Sequence, residues 1–247
     1  MAAPRLLSRL ARTARAAASH VRDAVVLRTA PPVVSAVRAE GLTYLSPRAL
    51  VDLHDRVVEA DEQGVPGVLI EAGCALGGSA IVMAQARSSA RELRVYDVFG
   101  QIPAPSARDG ADVHARYADI EAGRARGIGG GRYYGYQPDL KAQVEAAFTR
   151  YGSPPDASRV TLVEGLFQDT LHVDGPVAVA HIDGDWYDSV WTCLERIEPH
   201  LPIGGVLVID DYHAWSGCRD AVDAYFADRL GRYRFERRAR LHIVRQA

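Results

Sequence analysis

The chain has 247 residues, 48% of them hydrophobic and 24% charged, enough to bury a full core as one α/β domain with appendages. A formal net charge of −2 gives no basic footprint for nucleic acid, and no apolar run approaches the ~18 residues of a transmembrane helix. Three scattered cysteines without C-x-x-C spacing argue against a disulfide framework and a zinc site, and place the chain in a reducing, cytoplasmic setting.

Residues 1–30 read as a basic amphipathic arm. Arg5, Arg9, Arg12, Arg15 and Arg22 alternate with leucines and valines, and no acid precedes Asp23. Such an arm suits a homodimer or higher homo-oligomer contact, a peripheral membrane contact through anionic lipid, or a targeting segment. Pro31-Pro32 ends it, because proline removes a donor and restricts the residue before it. Residues 31–62 read as a helical cap, with Ser46-Pro47 opening a helix that carries Leu50, Leu53, Val57 and Val58.

The main domain begins at residue 63. Val68 to Ala72 reads as a buried parallel strand, and Gly73, Gly77 and Gly78 as a tight turn into a helix from Ser79. That junction is expected to present free backbone N–H groups to a ligand. Ala75 stands where a dinucleotide fingerprint needs its second glycine, and Glu71 at the strand end would repel a pyrophosphate but attract an ammonium group. Both features point to a cationic cofactor such as S-adenosylmethionine. Leu93 to Phe99 is the second strand, and Asp97 at its end is placed to accept ribose hydroxyls, with a helix or turn cap as the alternative.

Residues 100–136 lose the pattern, with a short helical piece around Val113 to Ala122 and a glycine-rich stretch ending in Tyr133, Tyr134 and Tyr136. This reads as a lid insertion offering aromatic faces to an acceptor. Alternation then resumes: helix 140–151, strand 160–164, loop 165–169, strand 177–183, helix 186–198, strand 206–210, helix 217–230, and a closing hairpin over 233–236 and 241–244. The fold class is α/β: a Rossmann-like, mostly parallel sheet with helices on both faces and a terminal antiparallel hairpin.

Two strand ends carry acids. His181-Ile-Asp-Gly-Asp-Trp-Tyr-Asp188 closes one, and Ile209-Asp-Asp-Tyr-His213 closes the next. Carboxylates crowded on one edge repel each other, so a hard divalent cation, Mg2+ or Mn2+, is the economical explanation; solvated turns and helix caps are the alternative.

Glu71-Ala-Gly-Cys-Ala-Leu-Gly-Gly-Ser79, Tyr96-Asp-Val-Phe-Gly100, Glu164-Gly-Leu-Phe-Gln-Asp-Thr170, the two acidic motifs and Gly217-Cys-Arg219 together resemble the macrocin O-methyltransferase family, whose members methylate sugar hydroxyls. More distantly, the metal arrangement is similar to that of catechol O-methyltransferase. The resemblance implies a class I methyltransferase fold in which Glu71 and Gly73 hold the methionine end, with Ser79 and Asp183 beside them. It gives Asp97 the ribose, Phe167 and Gln168 the adenine, and Asp183, Asp210 and Asp211 magnesium. Glu40 and Tyr44 match places that face the acceptor, and Tyr134 and Tyr187 join them as acceptor candidates.

A sugar hydroxyl needs acidification and alignment before it attacks a sulfonium methyl. Asp183, Asp185, His181 and His213 are all candidates to take its proton, with Asp183, doubling as ligand, the first choice. The expected acceptor is a small-molecule glycoside or oligosaccharide: a deoxysugar of a natural product, or a hexose of an oligosaccharide or glycolipid. Three other readings use the same sheet: a catechol-like methyl acceptor, a nicotinamide oxidoreductase, and a noncatalytic sugar-binding module. The glycine spacing counts against the second, and Glu71 with Asp97 against the third.

Overall fold

A computed structural model of the chain describes residues 23–247. Residues 1–22 of the arm expected over 1–30, on which its oligomer, lipid and targeting readings rest, lie outside the described residues, and 23–27 are helical as expected. Within them, no helix is long and apolar enough to cross a membrane.

Two helices precede the sheet. Helix α1 (Pro32–Ala39) and helix α2 (Pro47–Glu62) both start on proline, whose missing N–H costs nothing in a first turn, and Ser46 Oγ accepts the Ala49 N–H to cap α2. Strand β1 (Val68–Ala72) leads into helix α3 (Gly78–Ala86), then strand β2 (Leu93–Asp97). Every residue of α3 from Gly78 to Ala84 is buried, since α3 lies between the sheet and the α1–α2 pair. Val34, Val37, Leu50, Leu53 and Val57 therefore share one core with Leu69, Ile81 and Val179. The helical cap of 31–62 is a wall of the core rather than a separate flap.

The insertion carries helix α4 (Ala111–Glu121) and is followed by helix α5 (Leu140–Arg150), strand β3 (Val160–Glu164) and a short helix α6 (Phe167–Thr170), where a plain loop is expected from sequence. Strand β4 (Val177–Ile182), helix α7 (Tyr187–Ile197), strand β5 (Val206–Ile209) and helix α8 (Ser216–Phe226) come next. Strands β6 (Tyr233–Arg237) and β7 (Leu241–Arg245) close the chain. Helix α7 buries Val190, Cys193, Leu194 and Ile197, the stripe of a one-sided helix.

One seven-stranded sheet runs β3-β2-β1-β4-β5-β7-β6, parallel except at β7, which pairs antiparallel with both β5 and β6. The order reverses between β1 and β4, so a crevice opens at the C-terminal ends of those strands. Strands β2, β4 and β5 stop at Asp97, Ile182 and Ile209, earlier than the sequence pattern suggests for each. The shortfall leaves Asp183, Asp210 and Asp211 in the loops that rim the crevice.

The insertion is not a loose loop. Val113, Ile120, Ala125, Tyr133 and Trp186 form a separate small core, flanked by Ile102, Tyr134, Tyr136 and Trp215.

Candidate active site

The glycine turn after β1 is held by contact with β4. Gly73 has φ +90, and a Cβ on it would lie 2.0 Å from the carbonyl oxygen of Asp183, so only glycine lets these two strand ends approach. The N–H groups that the sequence leaves free for a ligand are instead engaged by the protein. Asp97 Oδ2 accepts from Cys74 at 2.7 Å and Ala75 at 3.2 Å, while Gly73 donates to Tyr96, Gly77 to Cys74 and Gly78 to Leu42. Asp97 Oδ1 also takes the Phe99 N–H at 2.7 Å. Burial raises the Asp97 carboxyl, and these three donors work against that shift. The five N–H groups of the turn are thus not free for an anion, and one acceptor position of the Asp97 carboxylate, which lines the crevice, stays open.

Below the rim runs a line of alternating charge. Glu71 and His181 are fully buried, and face each other in register on β1 and β4. One Glu71 oxygen accepts from Ser79 Oγ, and the other lies 3.0 Å from His181 Nδ1. His181 Nε2 is 3.6 Å from Asp210 Oδ1, too far for a hydrogen bond, and that oxygen accepts from Arg240 Nε at 2.5 Å. Burial alone would strip the proton from His181, but Glu71 and Asp210 overcome it and lift the imidazole to about 10. Burial pushes Asp210 up, yet His181 and Arg240 hold it below the ordinary carboxylate value.

Above that line, oxygens of Asp183, Asp185 and Asp211 all lie within 4.8 Å of one another. Burial and the neighbouring carboxylates raise Asp183 and Asp185 well above normal, and burial followed by Asp210 raises Asp211 to about 6. Asp211 Oδ2 is buried without a hydrogen-bond partner. A cluster that resists its own ionisation, with an orphaned oxygen, fits a hard divalent cation.

The cluster stands where two compartments of one cleft meet. The first, of about 480 Å³, is lined by Gly73, Asp97, Leu166, Phe167, Gln168 and Asp183, among others. The second, of about 870 Å³, is lined by Tyr44, Arg116, Tyr134, Trp215, Asp211 and Arg240, among others. Gly73, Asp97, Ile102, Tyr134, Asp183 and Asp185 line both.

Of the residues proposed from sequence, Gly73, Asp97, Phe167, Gln168, Asp183, Asp185, Asp210, Asp211, Tyr44 and Tyr134 line the cleft. The others do not. Glu71 and Ser79 are turned inward onto each other, and both Glu71 carboxylate oxygens are engaged, by Ser79 and His181, away from the cleft. His181 is sealed between two acids and already protonated, so it is no general base. His213 lies exposed on the turn Asp211–His213, beside Tyr212, away from the cleft. Glu40 is drawn off by Arg150 and by the Tyr151 hydroxyl, each at 2.9 Å. Tyr187 stacks on Trp191 at 5.9 Å and under Arg108.

Arg116, Arg240, Trp186 and Trp215 were not foreseen. Trp186 had the signal of following the acids, but Arg240 lies in an arginine-rich hairpin turn that gives none.

The strand order, the glycine turn after β1 and the crevice at the strand ends define a class I methyltransferase fold. The solved structure of the O-methyltransferase NovP has that fold, with a TM-score of 0.67 at 24% identity over 93% of this chain and 100% of that one. Residues 37–230 match the family model described as Macrocin-O-methyltransferase (TylF), and the chain belongs to this family.

A relative from Streptomyces olivaceus, 8-demethyl-8-(2,3-dimethoxy-alpha-L-rhamnosyl)-tetracenomycin-C 4'-O-methyltransferase, is 39% identical over 176 residues. The match takes in 69% of this chain and 60% of the relative, so it spans less than two thirds of that protein's length. Demethyldecarbamoylnovobiocin O-methyltransferase from Streptomyces niveus is 29% identical over 197 residues, 76% of this chain and 69% of its own.

Proposed function

We propose that the protein is an S-adenosylmethionine-dependent O-methyltransferase that acts, with magnesium or manganese, on a sugar hydroxyl of a natural-product glycoside. The observation that carries this reading is the acidic cluster at the junction of the two compartments. Family membership and the sugar-related names of relatives support it. S-adenosylmethionine, when bound, supplies an electrophilic methyl group, and the divalent cation supplies positive charge that makes a nearby hydroxyl more acidic.

The chain's own residues do the rest. Phe167, Gln168 and Leu166 give the first compartment a flat, partly apolar wall suited to adenine, and Asp97 offers its remaining acceptor position to a ribose hydroxyl. Asp183 and Asp211, whose oxygens converge in that cluster, would hold the cation, with Asp210 beside them, engaged by Arg240 and kept ionised by Arg240 and His181. Asp185 takes the proton from the acceptor hydroxyl. It lines both compartments, beside Asp183 and Asp211, where methyl donor and acceptor would meet. Tyr44, Tyr134 and Trp215 present aromatic faces to the sugar.

Labelled S-adenosylmethionine incubated with a panel of natural-product glycosides and oligosaccharides, read by mass spectrometry, tests the activity. Transfer to a sugar hydroxyl that stops in EDTA supports the reading, and transfer to catechols alone overturns it. Asp185→Asn should lose turnover by ~100-fold or more while still binding S-adenosylhomocysteine and metal, the scale for removing a general base. Full activity in Asp185→Asn would return the role to Asp183.

A further inference from the structure

The two helices that follow the acidic motifs have no cap of their own. Helix α7 starts after Trp186 and helix α8 after Trp215, and neither side chain carries an oxygen. First-turn N–H groups need a partner from elsewhere. For both helices it comes from the insertion. Asp109 Oδ1 accepts the Tyr187 N–H at 2.8 Å while its Oδ2 accepts that of Ser106 at 2.9 Å. Asp112 Oδ2 accepts the Ser216 N–H at 3.0 Å, and its Oδ1 accepts the Ser216 hydroxyl at 2.5 Å. A third tie runs the other way, from the Trp186 indole N–H to the carbonyl of Pro103 at 2.9 Å.

The glycine of the Gly217-Cys218-Arg219 motif, which has no part in the cleft, finds its reason here. A Cβ on Gly217 would lie 2.0 Å from Asp109 Oδ1 and 3.0 Å from the Tyr187 nitrogen. Only glycine lets the two helix starts and the Asp109 carboxylate meet at one point. Gly110 is similarly pressed, its Cβ position 2.3 Å from Ser216 Oγ.

The docked segment leads directly into the second compartment. Asp112 sits in the first turn of α4, one turn before Arg116 and two before Ile120, both of which line the compartment. The helices it caps begin two residues after Asp185 and five after Asp211. We propose that Asp109 and Asp112 are positioning residues for the acceptor: they lock α4 onto the starts of α7 and α8, and so fix Arg116 and Ile120 relative to the acids that act on the hydroxyl. This rests on the reading of the second compartment as the acceptor's. The small core of the insertion, closed by Trp186 from the segment after β4, does not depend on these bonds, so their loss should loosen the placement of α4 rather than unfold it.

Asp112 is exposed, which makes it the safer residue to change. Asp112→Ala should raise the acceptor KM about 10-fold with kcat and S-adenosylhomocysteine affinity within about 3-fold of wild type, the scale of one lost charge-assisted hydrogen bond in a positioning role. Asp112→Asn should stay within about 3-fold, since its amide oxygen still accepts the Ser216 N–H. Ser216→Ala should lose its effect when combined with Asp112→Ala, as expected for partners in one contact. Hydrogen exchange over residues 111–121 should rise in the ligand-free Asp112→Ala protein and return in Asp112→Asn. That readout needs no acceptor, so it stands apart from failure of the sugar assignment. Unchanged exchange and unchanged acceptor KM in Asp112→Ala would overturn the proposal. An equal loss of cofactor affinity would also overturn it, because the contact would then be general scaffolding.

Discussion

The two compartments of the cleft share six residues yet are built by different means. The first takes most of its walls from strand ends, the turns after them and α6, with Ile102, Pro103 and Tyr134 added from the insertion, and its shape follows largely from sheet register: Gly73 is pressed against the Asp183 carbonyl, and Asp97 clamps the turn above it. The second is assembled from parts distant in sequence: Tyr44 from the loop after α1, Arg116 and Tyr134 from the insertion, and Arg240 from the terminal hairpin. One side is held by the central core and the other by an appendage with its own core. A shared methyl donor asks for the first kind of construction and varied acceptors for the second, because an appendage can change without disturbing the sheet.

The strongest way to break this contrast is Gly73→Ala. With φ +90 and a carbonyl oxygen 2.0 Å from the new Cβ, the change should destabilise the fold by ~2–4 kcal/mol and abolish S-adenosylhomocysteine binding. Urea denaturation and calorimetry would read both, and a variant that bound cofactor normally would show that the first compartment is less rigid than described.

A pH series on the sheet comes next. His181 is raised from 6.5 to about 10 in the folded protein, so it binds a proton more tightly folded than unfolded. Its contribution is complete below about pH 6.5 and is lost as pH rises to about 10. The melting temperature should therefore decline across that window. His181→Gln should be less stable at pH 7 and show a flatter decline. A wild-type protein as stable at pH 10 as at pH 6 would mean that the imidazole is neutral.

The smallest effects sharpen the acceptor side. Tyr44→Ala should raise the acceptor KM ~3- to 10-fold and leave the cofactor untouched, the scale of one lost aromatic contact. Glu40→Ala, four residues away on the same loop, should change neither, since Glu40 points to Arg150 and Tyr151 at the surface. Steady-state kinetics with both substrates would separate the pair, and a kinetic defect in Glu40→Ala would place it back at the site.

How much was legible follows from the same contrast. The strands, the glycine turn and the acids at their ends could be read because each has a local signature: apolar runs, glycine at positive φ, carboxylates after a buried strand. What the side chains do there was less legible. Nothing local says that Glu71 turns away from the cleft, because its partner His181 lies 110 residues later. Free N–H groups expected at the turn were taken by Asp97, a residue read first as a ribose acceptor, with a turn cap as the alternative. Arg240 and Arg116 reach the cleft through hairpin and insertion geometry that no spacing encodes.

The buried line from Glu71 through His181 and Asp210 to Arg240 has a consequence for how the sheet forms. Side chains alternate between faces of a strand, so pairing β4 one residue out of place would send His181 to the opposite side of the sheet. Glu71 would then face an apolar neighbour, with Asp210 beside a gap. Stranding one member of a buried charge pair costs about 3–5 kcal/mol, a penalty that apolar strands such as Val-Leu-Ile and Val-Leu-Val-Ile could not impose, since any slipped pairing of them still buries hydrocarbon. The polar residues at the centre of the sheet thus act as a proofreading step in folding, rejecting misaligned strands before the cleft exists.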